Sequence, residues 1–217
     1  MATTKVSTIL KNAQTILLDR TGTRWPLQEL LGWLNMGQLA IVGHRPDALS
    51  KSEVFNTALG TFQQLPPEAL RLIDVVRNEG VSKRPVRKID RHVLDDQHVD
   101  WHDESNPATA VDHFTYDDRN PKNFYLYPAP ALNVPVRIVF SVAPSAIAIA
   151  DFETDATTIS IDDTYANPLL DFVLFRAYSK DATYAGNAER ASMAMQSFNN
   201  ALGIKTQVDR AMSPNSA

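Results

Sequence analysis

The chain has 217 residues, 44% of them hydrophobic and 21% charged, with 21 basic against 25 acidic side chains and no cysteine. This composition suits one sizeable core or two small ones and argues against disorder except at the ends. It excludes disulfides and thiol catalysis, and a net charge of −4 offers nucleic acid no bulk attraction.

No run approaches the roughly 18 apolar residues of a membrane span, and the N-terminal residues lack the charged-then-apolar pattern of a signal peptide. Val6, Ile9, Leu10, Ala13, Ile16 and Leu17 recur at helical spacing up to Thr21-Gly22-Thr23. Trp25-Pro26 starts a second helix, with Leu27, Leu30, Leu31, Leu34, Leu39, Ile41 and Val42 as its apolar set. Gly43-His44-Arg45-Pro46 breaks it, and Lys51 to Leu59 reads as a strand. Leu65-Pro66-Pro67-Glu68 has the form of a helix start, with Pro in the first turn and Glu set against the dipole. A helix of about two turns is therefore predicted through Ala69, Leu70, Leu72, Ile73, Val75 and Val76.

From Val81 the texture changes. Lys83-Arg84-Pro85-Val86-Arg87-Lys88 is basic and extended, because Pro85 disfavours helix before it. Asp90 to Asp96 fits a short helix, and Trp101 sits in a polar loop. Strands are predicted at Phe114–Tyr116, at Phe124–Tyr127, at the strictly alternating Val136–Val142, and at Thr158–Ile161. Asp162-Asp163 then stands before a helix start, where capping and charge–dipole complementarity explain it better than paired acid/base chemistry.

The region from Tyr165 to Gly203 organises the chain as two consecutive helices. Asn167-Pro168 suits the first start. Leu169, Leu170, Val173, Leu174 and Ala177 form one apolar face, while Phe172 and Phe175 point elsewhere. Such a helix must be covered on two sides. An ordinary core hairpin supplies one explanation. The other is a neighbouring subunit contacting Phe172 and Phe175, with Arg176, Lys180 and Asp181 forming a buried network, an intersubunit network or surface ion pairs. Ala188, Ala191, Met195, Phe198 and Leu202 mark the second helix, which Gly203 is expected to stop. Ile204 to Ala217 then reads as an unstructured arm, with Ile204, Val208 and Met212 as its apolar groups and Lys205 and Arg210 as its cations. These elements predict an α+β fold: a helical bundle from residues 1–80 and 163–203, an inserted β-rich module at 81–162, and a C-terminal arm at 204–217.

The densest set of chemistry-bearing residues is Asp95, Asp96, His98, Asp100, His102, Asp103 and Glu104. On an extended backbone His98, Asp100 and His102 would share a face and could bind zinc for a metal-dependent hydrolase. A solvated acidic loop pinned by Trp101 is the plainer explanation, since no fixed ligand pattern accompanies them. Phosphate-loop, dinucleotide and nucleophile-elbow motifs are all missing from the sequence. No enzyme, cofactor or metal is expected.

Four stretches in order, GTFQQLPPEALRLIDVVRN from Gly60, DRHVLDDQHVDW from Asp90, PKNFYLYPAP from Pro121 and DTYANPLLDFVLFRAYSKD from Asp163, resemble the head-to-tail adaptor (connector) proteins of tailed bacteriophages, especially short-tailed ones. The resemblance implies a structural virion protein at the head–tail junction, a helical bundle with an inserted β module. It implies assembly with itself as a ring beneath the portal protein, usually a dodecamer, that carries tail or nozzle proteins. Genome DNA would pass through the lumen without sequence-specific binding, and the C-terminal arm would dock on the portal. Another neck or tail-tube ring protein is a third reading, after the adaptor and the metal-dependent hydrolase.

Overall fold

The computed structural model describes residues 2–80, 83–184 and 186–212, with side chains as far as Gly203. In chain order it contains helices α1 (Val6–Ile16) and α2 (Leu27–His44), strands β1 (Ser50–Asn56), β2 (Phe62–Gln64), β3 (Ala69–Asn78) and β4 (Arg87–Lys88), and helix α3 (Arg91–Gln97). There follow β5 (His113–Thr115), β6 (Asn123–Tyr127), β7 (Pro135–Val142), α4 (Ala166–Lys180) and α5 (Asn187–Met212). The fold is α+β, with terminal helices flanking a β-rich region. Two compact units result: residues 1–49 together with 144–217, and residues 50–143. The boundaries expected at 80/81 and 162/163 therefore shift. Residues 50–80 pair into sheets, and residues 144–162 pack with the helices.

In the helical unit α4 is central, packing against α1, α2 and α5. Leu169, Val173 and Ala177 are fully buried on it, and the Trp25 indole N–H donates to the Ala177 carbonyl at 3.2 Å. Residues 144–161 run alongside as a strap without belonging to a sheet, held by amide side chains of α2. Asn35 exchanges two hydrogen bonds with the Ile147 backbone (2.9 and 3.0 Å), and Gln28 donates to the Ile149 carbonyl at 2.7 Å. Gln38, fully buried, accepts from the Ser160 amide at 2.7 Å. The strand predicted at Thr158–Ile161 is thus only a bridge between Thr158 and Lys5. Its apolar residues Ile159 and Ile161 are buried as anchors of the strap.

The β unit holds two sheets, ordered β1-β7-β3 and β2-β6-β5-β4. All pairs are antiparallel except β4 with β5. The core lies on Phe124, Leu126, Val136, Ile138 and Phe140, all fully buried. The helix expected at Ala69–Val76 is strand β3. Three register shifts against β7 each insert a residue, so buried positions fall at Ala69, Leu72, Val75 and Asn78. Bulges have stretched the strand's period of two to three, and a period of three imitates one face of a helix. The short helix expected from Asp90 is present as α3, capped by the Asp90 carboxylate accepting from the His92 amide at 3.0 Å.

Candidate assembly face

From Leu30 to Gly43, α2 carries no charged residue. Leu30, Leu34, Ile41 and Val42 turn inward, whereas Met36 and Leu39 stand 46% and 53% exposed. Arg176 of α4 lies against this exposed side. Its Nη2 is 3.7 Å from the Met36 sulfur, and its guanidinium sits 5.8 Å from the Phe172 ring centre and 6.0 Å from that of Phe175. The Arg176 Nε is buried without a hydrogen-bond partner, and among the described residues no carboxylate pairs with Arg176. An uncharged apolar surface edged by the Arg176 cation offers no group suited to proton or nucleophile chemistry. It is suited to protein docking, where aromatic, Met and Arg side chains are enriched.

Of the five residues expected at a subunit interface, Phe172, Lys180 and Asp181 make contacts within the chain. Phe172 is 8% exposed and packs on Phe198 of α5, with ring centres 5.3 Å apart. It also lies over Gly37 of α2, where an added Cβ would come within 3.0 Å of Phe172 Cδ1 and 3.1 Å of Leu169 Cδ2. The second cover that α4 requires is therefore α5 and α2 of the same chain. Phe175 is only half-buried, with its ring 6.0 Å from that of Phe172. Lys180 donates to Glu29 at 2.6 Å and to the Arg24 carbonyl at 3.4 Å. Asp181 pairs with Arg24 and accepts from the Asn187 side-chain Nδ2 at 2.8 Å. These last two residues fasten the start of α2 and the α4–α5 turn within one chain. On the α4–α5 seam Asp171 accepts from Ser197 Oγ at 2.7 Å, and burial raises its carboxyl above the ordinary range.

The histidine-rich stretch does not form the extended face on which a metal site would depend. Residues 99–102 turn, with Trp101 N–H donating to the His98 carbonyl and Asp103 N–H to that of Asp100, both at 2.9 Å. His98 stacks on Tyr127 at 5.1 Å, whereas His102 Nδ1 hydrogen-bonds Thr61 Oγ1 at 2.7 Å. The Trp101 indole donates to Asp95 at 2.9 Å. Among the described residues no group of three or more His, Asp or Glu could hold a metal ion.

Gly203 does not end the last helix, because the α5 backbone continues to Met212. A glycine inside a helix costs about 1 kcal/mol relative to Ala, which neighbouring turns can offset. The side chains of Ile204, Lys205, Val208, Arg210 and Met212, and all of residues 213–217, lie outside the described residues. Among the described residues no helix is long and apolar enough to cross a membrane. In the sequence Leu39 falls in the apolar set of this helix and Met36 carries no signal of its own. A helix apolar on nearly every side gives no signal of which side stays open.

Comparison with curated proteins returns no match. The family model described as SU10 adaptor protein matches residues 4–217, and the chain belongs to that family of structural phage adaptors.

Proposed function

We propose that the chain is the head-to-tail adaptor of a tailed, short-tailed phage. In this reading copies form a ring, usually of twelve, that binds the portal protein on one side and offers tail or nozzle proteins a platform on the other. Genome DNA passes through the lumen without sequence readout. The observation that carries this is the family match across residues 4–217, which takes in both compact units and the whole C-terminal segment.

The exposed side of α2 and α4, with Phe175 and Arg176, is the subunit contact in this reading. Phe172, Lys180 and Asp181 support it from within the chain. The end of α5 reaches the portal as a helical arm, with Ile204, Val208 and Met212 at four-residue intervals and Lys205 and Arg210 as cations. Repetition of one modest contact around a ring multiplies its strength. Cryo-electron microscopy of virions tests the whole reading. Density for this chain is expected as a ring at the head–tail junction, with the end of α5 against the portal. Localisation to the capsid shell or the tail tube, or absence from the virion, overturns it.

A further inference from the structure

A ring of more than two copies needs a heterologous contact, in which two different surfaces of the same chain meet. The assembly face of α2 supplies one such surface. The β unit carries another that fits it. Residues 54–64 and 123–136 contain no charged side chain, and they meet at a two-loop tip. There Thr57 N–H donates to the Val134 carbonyl at 3.1 Å, Asn133 N–H to the Thr57 carbonyl at 2.8 Å and Gly60 N–H to the Pro130 carbonyl at 3.0 Å. The tip presents Leu59 at 50% and Leu132 at 65% exposure.

Buried polar groups hold this tip in one shape. Gln63, with no exposed surface, accepts from the Ala58 amide at 2.8 Å and donates to the Gly60 and Ala58 carbonyls at 2.7 and 3.1 Å. Thr57 Oγ1 donates to the Ala131 carbonyl at 2.8 Å and accepts from the Val134 amide at 3.0 Å. A tip ordered before contact loses little entropy on docking. A charge stands at its edge. The Glu104 carboxylate lies over Gly60, a residue at φ +89 whose added Cβ would sit 1.9 Å from Glu104 Oε1. Among the described residues Glu104 has no ion-pair partner.

We propose that each copy sets its Leu59/Leu132 tip on the Met36/Leu39 face of the next, with Glu104 pairing with the neighbour's Arg176. The inference rests on the ring reading above and names the two surfaces that build the ring. Two uncharged apolar patches can be buried together without stranding a charge. The unpaired carboxylate at the edge of one matches the unpaired guanidinium at the edge of the other, and such matching fixes partner and register. Each surface is used once per copy, so the contact propagates head to tail.

The test uses virions carrying variant chains. Glu104→Arg alone and Arg176→Glu alone are each expected to lower adaptor incorporation on the order of tenfold. Combining the two in one chain should restore incorporation to near the parental amount, with thermal melting of each purified variant reporting folding. Failure of the combined variant to exceed either single one, with all three folded, overturns the pairing. Because the chain has no cysteine, Leu132→Cys with Leu39→Cys reads the apolar contact directly. A short thiol cross-linker should give a ladder of covalent multimers from the double variant and monomer from each single one. Dimers from a single variant would indicate a two-fold contact and refute the arrangement. A ring visible by electron microscopy without a ladder refutes these surfaces while leaving the ring intact. Virions without a ring of this chain refute the ring reading itself, and the contact with it.

Discussion

Replacing Phe172 with Ala separates a core role from an interface role. The ring is held between the α2 backbone at Gly37, the Phe198 ring at 5.3 Å and the Phe175 ring at 6.0 Å. Two of these walls are helices fixed by other contacts, so the vacated space cannot close fully. Phe→Ala at such sites costs about 3–5 kcal/mol, transfer and cavity terms together. For a helical unit of this size each kcal/mol moves Tm by roughly 3–5 °C, so a fall of roughly 10–25 °C is expected. Differential scanning calorimetry of the purified, unassembled chain reads it. Phe175→Ala, at a half-buried site, should cost about 1 kcal/mol by the same measurement. If Phe172→Ala left Tm within a few degrees while blocking assembly, Phe172 would belong to a subunit contact and its assignment to the core would be wrong.

Two further perturbations probe single polar groups. The Asp163 carboxylate accepts from the Thr3 and Thr4 amides at 2.9 and 2.7 Å and from Thr3 Oγ1 at 2.8 Å, and these bonds, those of Thr4 first, hold its pKa far below the usual carboxylate value. A depressed folded value means the clamp is complete above the unfolded pKa of about 3.9 and is lost only as pH falls from there through the folded value. Asp163→Asn should accelerate amide exchange at Thr3 and Thr4 near neutral pH, and unchanged exchange would show the N-terminal segment held by other means. Gln63→Leu removes three hydrogen bonds inside the β tip and is expected to cost about 1–3 kcal/mol by urea unfolding. Faster exchange of the Ala58 amide should accompany it, and unaltered exchange would mean the tip does not depend on Gln63.

The elements legible in the sequence were those whose local pattern and tertiary use agree. The alternation of Val136, Ile138 and Phe140 matches the central strand of a sheet, flanked by β1 and β3. Asp90 caps the short helix its position suggested. Strand β3 was illegible for a stated reason: its bulges space the buried residues by three, and Leu65-Pro66-Pro67-Glu68 adds the local chemistry of a helix start. The end of α5 is not legible at Gly203, because glycine lowers helix propensity without forbidding helix. For the candidate site, Arg176 and Phe175 could be found by their helical neighbours. Phe172 could not be assigned, because two-sided apolarity is equally satisfied by α5 or by another chain.

The same ambiguity applies to α2, whose open side is one of the two surfaces of the proposed ring contact. A helix with an uncharged run from Leu30 to Gly43 would ordinarily be enclosed by its own domain. Here α4 and α1 cover the inner side, and the polar residues Gln28, Asn35 and Gln38 all grip the backbone of the strap. Between Leu30 and Gly43 the exposed side chains are Met36 and Leu39, open beside Arg176. Charged residues on that side would cost the isolated chain nothing and improve its solubility. They would also have to be desolvated in any subunit contact, at considerable cost unless paired. An open uncharged face with Arg176 at its margin is what the proposed ring contact requires, because it can be covered without stranding a charge.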